Sequence, residues 1–250
     1  MRFLLASCLI AALAALNVIP VFAAAPKKVS EVVSVDDALT LADQEIVELT
    51  ESVSTAEKFA VAQSDNSLAQ SAGLLACLAQ ALAEHDDDAA AKVAPANLRD
   101  AALALRDAKS HADATSALKA VQHARAGKAD GAAAKDHPWN KLINLHRLME
   151  EVNSRNSSLR RSSRRIRKPQ EDSLDAAAVA VLAFAMHADT HEVKDPALKP
   201  DWQKFALEYQ AAMAGLAAQM KNSDSDAAYA TWRDAQKTCQ ACHEKFKVEE

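Results

Sequence analysis

Two thiols and an imidazole fall within five consecutive positions near the end of the chain, Cys239-Gln240-Ala241-Cys242-His243. Thiols three positions apart share one side of a helical turn. Each can form a thioether with one of the two vinyl groups on neighbouring edges of a haem, leaving the next residue's imidazole beneath the iron. This Cys-x-x-Cys-His order is the pattern of c-type haem attachment, with His243 as the axial ligand. Other chemistries also use close cysteine pairs. A thioredoxin-like redox pair needs a βαβ context, which this sequence lacks, and a zinc site needs a second Cys/His pair at finger spacing, which is not visible. A chance pentapeptide in an inert helical protein is the remaining alternative.

Such a motif must be carried by a helix, and the apolar spacing around it supplies one. Ala228, Trp232, Ala235, Cys239, Cys242 and Phe246 recur every three or four positions, so a helix is expected from about Ser225 to Phe246, with Ser223 as its N-cap and Asp226 three residues on. Upstream, Pro200-Asp201-Trp202 opens a second helix whose face is Trp202, Phe205, Tyr209, Met213, Leu216 and Met220. Two more are expected, from Ser173 to about His191 and from about Trp139 to Arg165, the latter broken by Pro169. The earlier half repeats the rhythm at about Val35 to Ala62, Ser67 to Glu84, Ala96 to Ser110 and Asp113 to Arg125.

Composition agrees. Half of the 250 residues are hydrophobic, yet only 4% are aromatic and only 4 are glycines; much of the apolar share is alanine. These are the residues of closely packed helices. The fold class is therefore all-α, as two tandem antiparallel four-helix bundles, with units at 30–126 and 137–250 joined by a Gly-, Ala- and Lys-rich linker at 127–136. Ser67-Leu68 and Ser173-Leu174 each start an alanine-rich helix that ends near a histidine and a proline loop, which suggests an internal duplication.

The chain opens with Arg2, an apolar run to about Phe22 and the small residues Ala23, Ala24 and Ala25 before Pro26, the layout of a secretory signal peptide covering 1–24. No later apolar run is long enough to cross a bilayer, so a soluble, periplasmic or otherwise exported protein is expected. Export and the haem motif support each other, because haem is attached to such motifs in the exported compartment. The net charge of −5 argues against a nucleic-acid partner. The charge is uneven: Pro26 to Asp136 carries 11 Lys and Arg against 18 Asp and Glu, net −7, and His137 to Glu250 carries 17 against 16, net +1.

The last 110 residues or so resemble class II cytochromes c, the cytochrome c′ and cytochrome c-556 group, which carry the attachment motif near the C-terminus. The matching residues are the run Lys237 to Lys247 with its aromatic-then-basic Phe246-Lys247, Trp232, Pro200-Asp201-Trp202 and Phe205. Lys247 stands where an arginine is common, so no role is carried over for it. The resemblance implies an up-down-up-down bundle holding one haem c through Cys239, Cys242 and His243. It also implies that any sixth ligand comes from the bundle's first helix. There Leu142, His146, Met149, Val152, Asn156 and Leu159 share a face, making Met149 the first candidate and His146 the second. A thioether ligand would raise the reduction potential and suit electron transfer. With neither ligand, the iron would be five-coordinate and could take nitric oxide or carbon monoxide.

The first unit has no cysteine at the corresponding place and is expected to bind no haem. Cys77, among Leu74, Leu75 and Leu78, reads as a buried core thiol. His187 and His191 read as surface histidines. Arg155, Arg160, Arg161, Arg164, Arg165, Arg167 and Lys168 read as a mostly solvated basic run able to steer an acidic redox partner. The expected function is single-haem electron transfer, without enzymatic bond-making; a non-haem helical interaction module is the reading left if the motif is idle.

Overall fold

Local capping chemistry sets where each helix starts. The computed structural model describes residues 27–129 and 136–246, and among them every regular element is helical. The expected leader at 1–24 and most of the linker lie outside the described residues. Nine α-helices follow in order: α1 (Val35–Ser52), α2 (Ala56–Ser64), α3 (Ser67–Ala83), α4 (Pro95–Arg106), α5 (His111–Arg125), α6 (Leu145–Ser162), α7 (Pro169–Ala188), α8 (Lys199–Lys221) and α9 (Ser225–Phe246). Ser34, Thr55 and Ser110 accept from the backbone N–H three residues on, and Asn144 accepts from that of His146. Each satisfies a donor that a helix start leaves orphaned.

Several boundaries differ from the sequence reading for the same reason. The single helix expected over Val35 to Ala62 divides at Val53–Thr55, where Ser54 Oγ donates back to the Glu51 carbonyl and Thr55 caps α2. Ser and Thr side chains there offer the backbone an alternative to continuing the helix. Likewise α6 starts at Leu145 behind the Asn144 cap; Trp139–Lys141 forms a separate 3-10 turn. Pro169 starts α7 instead of merely ending α6, with Asp172 accepting from the backbone N–H groups of Arg167 and Lys168. Ser223 does not cap α9. It lies in the left-handed region at φ 59° and closes α8, and Asp224 caps α9 by accepting from Ala227.

In the first half α3 packs on α1 and α4, and α4 on α5; in the second α7 packs on α6 and α8, and α8 on α9. The central helices α3 and α7 are buried almost all round, and one continuous apolar core runs through both halves. Between them α3 meets α6 and α7. Gly73 permits a close approach: a Cβ there would stand 2.8 Å from Cγ1 of the buried Ile143. Polar ties flank this seam. Gln70 donates to Glu150 at 2.6 Å, Arg106 donates to the carbonyls of Lys141 and Leu142, Lys221 pairs with Asp37, and Arg155 pairs with Glu45 at 2.7 Å.

Arg155 is therefore not part of a solvated run. Its side chain is 15% exposed and also contacts Glu151 at 2.6 Å and Asp175 at 2.9 Å. Cys77 is a fully buried thiol, pushed up in pKa by that burial.

Candidate functional site

A cavity of about 320 Å³ opens where α6, α7, α8 and α9 converge. From α9, Cys239, Cys242 and His243 contribute to its lining; Met149, Val152 and Asn156 of α6 lie in the same wall, as do Met186 of α7 and Phe205 and Tyr209 of α8. The periodicity that predicted α9 holds: Ala228 and Ala235 are buried, and Cys239 and Cys242 follow on the same side, half-buried against the core. Small residues low on α9 let it lie close to its neighbours. Aromatic contacts pin its far end. Phe246 meets Trp202 edge-on at 5.3 Å and Phe205 edge-on at 6.2 Å, while the Trp202 indole N–H donates to the Met186 carbonyl at 2.8 Å.

A polar bracket holds the opposite end of the α6–α9 wall. Asn156 donates to Gln236 at 2.8 Å and its Oδ1 accepts from Gln236 at 3.0 Å and from the Trp232 indole at 2.8 Å. Asn156 is thereby locked across the two helices that supply most of the lining.

The thiols are protonated in this setting. Burial raises the Cys239 pKa although the Tyr209 hydroxyl hydrogen-bonds to it, and burial together with the neighbouring Cys239 pushes Cys242 up to about 11. A reactive dithiol needs the opposite shift, toward the thiolate, so the environment does not suit a thioredoxin-like pair. Among the described residues no three His, Cys, Asp or Glu side chains gather as metal ligands. What the cavity does present is two thiols and an exposed imidazole from one helix, thioethers from two others, and apolar or aromatic walls between them. That donor set suits a large flat apolar ring carrying iron.

Met149 lies on the cavity wall. His146 does not. Its ring is 73% exposed and lies 3.3 Å from Glu150. The expected face included Leu142, which precedes α6, and this shifted the apparent phase of the helix; the buried residues of α6 are Leu145, Leu148, Val152 and Leu159. Met186 and Tyr209 were not foreseen as lining residues. Met186 had no distinguishing signal, because α7 is apolar on every side, whereas Tyr209 sat in plain view on the Trp202–Phe205 face.

No family model, curated protein or solved structure matches this chain.

A second cavity, of about 540 Å³, lies on the other side of α7. The stacked Trp139 and Phe184 rings, 4.8 Å apart, form part of its wall with His187, Glu84 and Lys28. His187 is half-buried there rather than on the surface, and its pKa is lowered by that burial. His191 is beyond the end of α7, exposed, and held by Asp189 at 2.5 Å and Glu192 at 3.0 Å, which raises its pKa. The two histidines do not share a helix face.

Proposed function

We propose that this chain is an exported c-type cytochrome that carries one haem c and works in electron transfer. The observation that carries the reading is that both cysteines of the Cys-x-x-Cys-His sequence and its histidine line one apolar cavity. Cys239 and Cys242 would hold the group through thioethers and His243 would ligate its iron, which supplies reversible one-electron chemistry when bound. Met149 is the leading sixth ligand; Met186, on the same cavity, is a second thioether within the wall. His146, exposed and engaged with Glu150, is the weaker choice.

The packing of α6 to α9 in succession supports a class II cytochrome c-like antiparallel bundle, with α1, α3, α4 and α5 as a second bundle without haem. Short connections favour antiparallel neighbours. The apolar walls and neutral thiols support attachment over thiol redox chemistry. That no helix among the described residues is long and apolar enough to cross a membrane is consistent with a chain that leaves no span behind once its leader is removed.

Haem-peroxidase staining of the exported protein after a denaturing gel tests this reading. A stained band that disappears in Cys239→Ala/Cys242→Ala is expected. An unstained wild-type band would leave a non-haem helical module. Ready carbon monoxide binding by the ferrous wild-type protein would instead indicate a five-coordinate, gas-binding cytochrome.

A further inference from the structure

The basic run contains two kinds of arginine. Arg155 is consumed inside the fold, and Lys168 is paired with Glu171 at 2.8 Å. Arg160, Arg161, Arg164, Arg165 and Arg167 are exposed, and none forms an ion pair among the described residues. To these the fold adds Arg233, exposed and in no ion pair among the described residues, though its charge reaches the neighbouring Asp234, from the facing helix α9.

Three of these cations converge on one phenol. Arg164 lies over the Tyr229 ring, its guanidinium carbon 4.5 Å from the centroid, and donates to the hydroxyl. Arg160 and Arg233 also stand near enough to draw the phenol's pKa down with Arg164. Tyr229 in turn stacks on Trp232, with centroids 5.7 Å apart and planes 12° apart. The Trp232 indole donates to Asn156 on the cavity wall. A continuous contact thus runs from a basic surface through two stacked rings to the cavity.

We propose that Arg160, Arg164 and Arg233, set around Tyr229, are the docking face for an acidic protein partner, and that the Tyr229–Trp232 stack conveys this contact to the cavity wall. Guanidinium forks match carboxylates in paired geometry, and an excess of one sign speeds encounter with the other. A protein surface fits better than a membrane: among the described residues the exposed large apolar ones are Val47 and Val61, in the other half of the molecule, so the patch has no apolar face to insert. The face rests on its own charges; that its partner is a redox protein rests on the reading of the cavity above.

The test is a titration of the full chain with a polyglutamate peptide, followed by nitrogen–proton NMR and circular dichroism. Perturbations confined to Arg160, Arg164, Tyr229, Arg233 and the Trp232 indole signal are expected, weakening about tenfold or more between low and moderate salt. Arg160→Glu/Arg164→Glu/Arg233→Glu should abolish them with unchanged helicity, and the milder Arg164→Gln/Arg233→Gln should weaken them about tenfold. Undiminished binding in either variant, perturbations centred elsewhere, or binding to phosphatidylglycerol vesicles without binding to the peptide would overturn the proposal. None of these readouts needs haem, so the docking face and the cytochrome reading fail separately.

Discussion

Glu45 of α1 and Arg155 of α6 meet side chain to side chain at 2.7 Å, although 110 positions separate them in the chain. One guanidinium is shared there by three carboxylates, Glu45, Glu151 and Asp175. A single positive charge is shared among three carboxylates, and the most buried of them, Glu45, gives way. Burial drives Glu45 up from 4.5 to about 7, against the lowering pull of Arg155 and a Ser71 hydrogen bond, with Glu151 and Glu48 adding to the rise.

Because the folded-state pKa of Glu45 is raised, the folded chain holds a proton that the unfolded chain has released. Its contribution to stability is full below about 4.5 and is lost as pH rises through about 7. Glu45→Gln should remove this dependence. The unfolding free-energy difference between wild type and variant, read by urea denaturation, should shift in favour of the variant by up to about 3 kcal/mol across that window. A pH-independent difference would mean that Glu45 titrates normally.

Removing the cation should be far worse than removing the acid. Arg155→Met leaves Glu151 and Asp175 without their counter-charge, and a loss of about 3–5 kcal/mol is expected near neutral pH. The same urea measurements read it, and Arg155→Met/Glu45→Gln should recover part of the loss, since the two sites are in contact.

Gly73→Ala should strain the seam between the halves. Its methyl would stand 2.8 Å from Ile143, and overpacking of this kind costs about 1–3 kcal/mol. Shortening the neighbour with Ile143→Val should cost less in the Gly73→Ala background than in wild type. Purely additive effects in that cycle would show that the two residues are not in contact.

For the cytochrome reading, the ligand variants separate the candidates. Met149→Ala should convert a low-spin ferric spectrum to high spin and admit carbon monoxide in the ferrous state, whereas His146→Ala should leave both unchanged. If Met186→Ala produces the conversion instead, the ligand comes from α7.

Legibility in the sequence tracked how one-sided each helix is. The helix carrying the thiols, α9, has a clear apolar stripe, and its expected bounds, Ser225–Phe246, coincide with those observed. On α7, buried on nearly every side, periodicity could not say that Met186 faces the cavity. The apolar spacing that starts at Leu142, outside α6, puts His146 on the inner face, whereas in the fold it turns outward. Arg155 is hidden by its company: a run of like charges reads as solvated, and only its tertiary contact with Glu45 of α1 reveals that one member points inside. The division at Val53–Thr55 depended on side-chain capping that an apolar pattern does not register.

The notch at Gly73 also dictates an order of events. A chain made from its N-terminus completes α3 well before Ile143 exists to fill that notch, so the first half must wait with an apolar groove uncovered. The residues that close it, Ile143 and then α7, arrive before Cys239 does. The thiol-bearing helix therefore meets a scaffold whose seam can already have closed.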